Sequence, residues 1–209
     1  MFNRVSCISA HCDDIEFACG GTVAKLIEQG SEVYVLNYSF CIKSLPDGIS
    51  GETIIEEFYR FMNNLGVVKS NIVTSNLIVR EFPSYRQDIL DTMIEQKKKI
   101  NPDLVLIPNS KDIHQDHNTI YQEGVRGFKG ITTLGYEMPW NCLEFKSNCR
   151  FKLEKKHVET KYNSIDIYES QKFRGMSDRE LIFANARVRG IQAGSKYAEA
   201  FEVIRWVNE

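Results

Sequence analysis

Two short stretches hold most of the side chains able to do chemistry. "ISAHCDDIEF" carries His11, Asp13, Asp14 and Glu16, and "DIHQDHN" carries His114, Asp116 and His117. The chain has four histidines, and three of them lie here, a concentration that favours chemistry over accident. Two histidines and one carboxylate with an open fourth position suit catalytic zinc. Water on such an ion has its pKa lowered toward ~7. A second carboxylate beside the ion can take that water's proton, and a further histidine can stabilise an oxyanion. Taken singly, each residue has a plainer role. Asp13 and Asp14 suit a helix N-terminus, Asp116 can begin a helix, and a lone histidine is usually a hydrogen-bonded structural residue. Cys12 and Cys19 read as packing residues.

The elements that must position these groups follow from the hydrophobic period. "RVSCISA" reads as a strand, "GGTVAKLIEQG" as a helix closed by Gly30, and "EVYVLNY" as a second strand. "ETIIEEFYRFMNNLG" puts Ile54, Ile55, Phe58, Met62 and Leu65 on one helical face, with Gly66 as its stop. "NIVTSNLIV" reads as a third strand, and Ser84 is placed to cap the helix "YRQDILDTMIEQKKK". "LVLIP" is a continuous apolar run of the kind buried on both faces of a parallel sheet. This order predicts an α/β fold, a Rossmann-like doubly wound and mostly parallel sheet. The polar "KSNCRFKLEKKHVETK" reads as an exposed hairpin or loop, followed by a helical C-terminal part from about Tyr162 to Gly194. In open sheets of this kind ligands bind beyond the carboxyl ends of the strands, so the ends of strands one and four, which carry the two clusters, become neighbours.

At 209 residues the chain suits one domain, spanning 1–209, with the hairpin and helices as its C-terminal extension. A net charge of −2 with mixed signs gives no footprint for nucleic acid and no polybasic membrane anchor. No apolar run reaches membrane-spanning length, and the six cysteines are irregularly spaced with no CxxC pair, so the chain reads as cytoplasmic with reduced thiols. The expected partner is a small molecule. Gly20 and Gly21 lack the spacing of a dinucleotide-binding fingerprint.

"AHCDDIEFACGGTVAK" and "DIHQDH" resemble the hallmark motifs of the PIG-L/LmbE-like zinc-dependent N-deacetylases, with Cys12 and Gln115 where the family has prolines. The resemblance continues into "KYNSIDIYESQ" and "GSKYAEAF" and so covers nearly the whole chain. It implies that His11, Asp14 and His117 hold Zn2+ and that Asp13 is the general base and then acid. It also implies that His114, oriented and kept cationic by Asp116, stabilises the oxyanion. The implied reaction is hydrolysis of an N-acetyl amide on an N-acetylglucosamine-type sugar or sugar conjugate. Tyr197 and Glu199 match the family's "YAE" segment near the active-site mouth, and Tyr136 and Glu137 are placed along the cleft. A homo-oligomer, trimer or hexamer, is also implied, with "KSNCRFKLEKKHVETK" as a contact element. A silent sugar-binding protein that kept the fold is the competing expectation, but it should have lost at least one of the six motif residues. A two-metal phosphoesterase would want more ligands than the histidines supply.

Overall fold

In a computed structural model, residues 2–170 and 177–208 are described. Among these residues seven strands form one sheet in the order β3-β2-β1-β4-β5-β7-β6. The first five are β1 (Arg4–His11), β2 (Glu32–Ser39), β3 (Ile72–Thr74), β4 (Leu104–Pro108) and β5 (Thr132–Tyr136), all parallel to one another. β6 (Cys149–Leu153) and β7 (Tyr197–Arg205) complete the sheet, with β7 antiparallel to both β5 and β6. The helices are α1 (Asp14–Glu28), α2 (Gly51–Leu65), α3 (Arg86–Ile100), α4 (Gln115–Gly127), α5 (Lys155–Ile165) and α6 (Arg179–Gln192).

Both faces of the sheet are covered, which is why β4 reads as an unbroken apolar run. Leu104 and Leu106 enter one core with Ile15, Phe58, Val158 and Ile182 from α1, α2, α5 and α6. Val105 and Ile107 enter the other, with Ile89 from α3 and Ile120 from α4. Chain order reverses between β1 and β4, which pair directly through Val5–Leu104, Ser6–Val105 and Cys7–Leu106. The two motifs leave the sheet at this switch point, side by side.

Three elements differ from the sequence reading. "NIVTSNLIV" contributes only Ile72–Thr74 to the sheet; beyond it, Ser75 and Leu77 still donate to Asn37 and Tyr38 carbonyls, but as a loop that carries Val79 and Arg80 toward the switch point. Ser84 does not cap α3. It lies in a 3-10 turn, Phe82–Tyr85, that runs straight into the helix. "KSNCRFKLEKKHVETK" is no exposed loop: it supplies the edge strand β6 and the first half of α5. A reciprocal capping box between Glu154 and His157 starts that helix, and its buried face holds His157, Val158, Lys161 and Ile165. Two charged-type residues on that inner face hid the pattern, because His157 is satisfied by Glu28 and Lys161 by Glu199. The helical stretch expected over Tyr162–Gly194 is α6 and the end of α5; the Gln171 that followed Ser170 in the motif lies outside the described residues.

Helix α1 is broken at Cys19 (φ −140°, ψ 20°), so that its second half begins afresh with two glycines. The Glu199 carboxylate, from β7, accepts the Gly21 and Thr22 N–H groups at 3.1 and 2.6 Å and pairs with Lys161 at 2.8 Å. A Cβ on Gly21 would lie 2.8 Å from Leu153 Cδ1 and 3.1 Å from that carboxylate. The paired glycines therefore serve a helix N-terminus capped in trans.

Gly190 marks the tightest helix–strand approach: its Cβ would fall 2.5 Å from the Lys196 carbonyl oxygen and 2.6 Å from Tyr197 N. Alanine ordinarily gains about 1 kcal/mol over glycine inside a helix. Here the obstructing atoms are backbone, and overpacking of this kind costs about 1–3 kcal/mol, so the clash wins. Gly190→Ala should lower the urea midpoint, and an unchanged or raised midpoint would refute the close packing of α6 on β7.

Candidate active site

β1 delivers His11 at its last position, and the chain turns at once into α1, whose N-cap is Asp13 and whose first residue is Asp14. The Asp13 carboxylate makes no capping hydrogen bond; it lines a cavity of about 210 Å³ at the switch point instead. Asp14 Oδ2 accepts the His11 backbone N–H at 2.9 Å, which closes the turn and leaves Oδ1 facing the rings. From β4, a loop through Asn109 reaches His114 at the N-cap of α4, with Asp116 and His117 in its first turn.

The two clusters meet. His11 Nε2–H donates to Asp116 Oδ2 at 3.0 Å, and His117 Nδ1–H donates to Asp112 Oδ2 at 2.7 Å. Each carboxylate thereby fixes a tautomer and turns the other ring nitrogen inward. His11 Nδ1 and His117 Nε2 then stand 3.0 Å apart, with Asp14 Oδ1 3.2 Å from the second and 3.7 Å from the first. Two lone pairs and an anion so close together call for a cation. Tetrahedral zinc ligands at about 2.0–2.1 Å from the ion lie roughly 3.3 Å from one another, which is this triangle's size. Nitrogens of His11, His114 and His117 all lie within 4.8 Å of one another, but that set is looser than the triangle with Asp14.

Electrostatics follow the same pattern. Burial would raise the Asp14 carboxyl, yet His117 and His11 beside it hold it well below the usual carboxylate range. Burial would lower both histidines, and Asp14, with Asp116 for His11 and Asp112 for His117, raises them above the ordinary value. His114 behaves oppositely: burial, then His117 and His11, push it down to about 4.

The hydrogen bonds correct the expectation for Asp116. Its carboxylate is taken by His11 and by the Arg80 and Phe82 backbone N–H groups at 2.6 and 3.3 Å. It orients His11 and pins the turn before α3. What orients His114 is the Asp116 backbone, whose N–H donates to His114 Nδ1 at 3.1 Å. The neutral ring must then carry its hydrogen on Nε2. His114 is a fixed neutral donor, not an imidazolium.

The other sequence-predicted positions do not line this cavity, although Glu199 lines a small pocket beside it that shares Phe17 and Trp140. Tyr136 is fully buried and its hydroxyl donates to the Ile8 carbonyl at 3.1 Å, so it is a core residue. Glu137 is buried in an ion pair with Arg189, whose Nε donates to Oε2 at 2.9 Å. Tyr197 packs its ring edge-on against Phe183, and Glu199 caps the second half of α1. The stretch "GYEMPW" does reach the cavity, but through Met138 and Trp140. Glu16 is fully buried under Tyr168, whose hydroxyl lies 3.0 Å from Oε1, and burial followed by the Asp13 charge pushes its carboxyl well above the usual range. Asp112 was missed by the sequence reading, although it stands in the "NSKD" that leads into "HQDH". The remaining walls are Phe17, Cys12, Cys41, Ser44, Val79, Arg80 and Asn141, with Phe17 edge-on to Trp140 at 5.4 Å.

An α/β sheet with a His/Asp cluster of metal-ligating type at its switch point is the class that fold and site define. The family model for PIG-L, described as GlcNAc-PI de-N-acetylase, matches residues 6–127, and the chain belongs to that family. Among relatives, it is 25% identical over 173 residues to the uncharacterized deacetylase YaiS of Escherichia coli (strain K12), covering 78% of this chain and 89% of that one. Its fold matches the N,N'-diacetylchitobiose deacetylase of Pyrococcus horikoshii with a TM-score of 0.79 at 21% identity, over 97% of this chain and 84% of the other. The 4-carboxy-2-hydroxymuconate hydratase GalB of Pseudomonas putida KT2440 also scores 0.79, at 20% identity, over 99% of this chain and 98% of its own. One fold thus hosts two chemistries, and the function must be argued from the site.

Proposed function

We propose that this protein is a zinc-dependent N-deacetylase that hydrolyses the N-acetyl amide of an N-acetylglucosamine-type sugar or sugar conjugate to acetate and a free amine. The observation that carries this reading is the triangle of His11 Nδ1, His117 Nε2 and Asp14 Oδ1, at 3.0–3.7 Å, opening into the cavity lined by Asp13 and His114. His11, Asp14 and His117 would hold the ion. Zinc in such a site supplies Lewis acidity and lowers the pKa of water toward about 7. Asp13 takes the proton of the attacking water and returns it to the departing amine. His114 donates its Nε2–H to the oxygen on which charge develops, and a neutral donor with a fixed tautomer needs no reorganisation as it does so. Asp116 and Asp112 keep the two ligand rings in the productive tautomer.

The reading is tested by metal content and by acetate release from N-acetylated amino sugars, N,N'-diacetylchitobiose included. About one zinc per chain with acetate release supports it; zinc-free protein that binds these sugars without hydrolysis would leave the silent sugar-binding protein. Asp112→Asn keeps an acceptor for His117 but removes the charge, and zinc affinity in a chelator competition should fall about 10–100-fold. An unchanged affinity would take Asp112 out of the supporting set.

The same reading includes a homo-oligomer, trimer or hexamer, and a cytoplasmic location. The six cysteines form no disulfide, and among the described residues no helix is long and apolar enough to cross a membrane. Light scattering returning a mass near 24.1 kDa would reject the oligomer.

A further inference from the structure

Among the described residues that line the active-site cavity, Arg80 is the only lysine or arginine. Its backbone is held in the left-handed region (φ 72°), an uncommon conformation for a residue with a side chain. Asp116 fixes it there, through the 2.6 Å bond from the Arg80 N–H, and Phe82 N–H donates to the same carboxylate. So the buried acid that orients the His11 ring also sets where residue 80 sits. Its neighbour Glu81 pairs with Lys43 instead, at 3.0 Å. Among the described residues no carboxylate lies within 4.0 Å of the Arg80 guanidinium and no hydrogen bond from that side chain is formed. A cationic fork on a braced turn at the rim of a catalytic cavity, left without an acid, is the arrangement that receives an anion from the ligand.

We propose that Arg80 forms an anion subsite of the active-site cavity, so that the preferred substrate is an N-acetylated amino sugar bearing a phosphate or carboxylate group, with the apolar pair Phe17 and Trp140 lining the cavity as a wall for the sugar ring. This rests on the deacetylase reading and narrows its substrate class. The catalytic end of the cavity is taken by Asp13 and by the ion that Asp14 would hold, which leaves the rim, where Arg80 stands, for the charged group.

The test is binding and acetate release measured side by side on the zinc-loaded protein. The ligands are N-acetylglucosamine 1-phosphate for the phosphate arm, N-acetylmuramic acid for the carboxylate arm, and methyl N-acetylglucosaminide as the neutral reference. Wild type should bind at least one charged sugar more tightly than the neutral one, and the arm that shows it identifies the anion. In Arg80→Gln the ratio of charged to neutral affinity should fall about 10–100-fold, the size of one charge-assisted pair, and Arg80→Lys should restore part of it. A circular dichroism spectrum unchanged from wild type confirms that both variants fold. Equal or undetectable binding of charged and neutral sugars, or a charged preference that survives Arg80→Gln, overturns the subsite. Arg80-dependent binding with no acetate released from any sugar leaves the subsite standing and overturns the deacetylase reading instead.

Discussion

Asp14→Ala should leave the protein without bound metal after dialysis and without measurable turnover. Asp14 Oδ1 is the only anionic corner of the triangle with His11 Nδ1 and His117 Nε2. Without it two buried imidazoles face each other at 3.0 Å with no carboxylate between them. Three protein ligands leave no redundancy in a catalytic zinc site. The ion's own contribution to the barrier is several kcal/mol, so the rate should fall by at least about 10³-fold. Asp14 also closes the turn after β1 by accepting the His11 N–H, and alanine removes that bond as well. Asp14→Asn keeps an oxygen for the turn and loses the charge, so it separates the two effects: it should fold like wild type and still lose the metal. Full zinc occupancy in Asp14→Asn or Asp14→Ala would show that the ligand set is wrong.

Asp13→Asn should keep the metal and lose about 10²–10⁴-fold in turnover, the usual contribution of a positioned general base. The substitution keeps the side chain's size and removes its charge. Asp13 occupies the N-cap of α1 without a capping bond, and asparagine suits that position as well as aspartate does. The amide cannot accept a proton, so the loss should fall on kcat with KM little changed. A near wild-type rate would move the base elsewhere, and Glu16 could not take over: it is fully buried, does not line the cavity and is covered by Tyr168.

The site was legible because its parts come as two local motifs, each immediately after a buried strand, and the topology of such a sheet brings those ends together. Residue type and spacing could not reveal which partner each carboxylate takes. Asp116 stands between two histidines in sequence, yet an α-helical first turn points its side chain across to His11 and leaves its backbone N–H for His114. Asp112 was passed over for a related reason: its role depends on a loop geometry that no period announces. The expected substrate positions lie on or next to β5 and β7, whereas the cavity is lined by the chain beyond the end of β5. In β5, Tyr136 points into the core, and the chain reaches the cavity only two and four residues later, at Met138 and Trp140. In the fold, four of the five parallel strands were readable from their apolar runs; β5, with its threonines and glycine, was not. The antiparallel pair was not, because the α5 that follows β6 buries lysine and histidine whose partners lie 38 and 129 residues away in sequence.

The position of β7 has a consequence for the order in which the molecule is made. β6 pairs only with β7 among the described residues, and β7 is inserted between β6 and β5, so the later strand must enter before the earlier one has anywhere to dock. During synthesis, everything up to Tyr136 can assemble as a parallel sheet from neighbouring pieces, with both motif loops in place. β6 and α5 then emerge with no strand to join, and the second half of α1 waits uncapped until Glu199 arrives. Closing the sheet is a late, long-range step, and such steps are slow because the intervening chain must be ordered first. A nascent chain halted before Tyr197 would carry its chemistry on a half-finished scaffold, with an open edge at β5 exposed to proteases and to pairing with other chains.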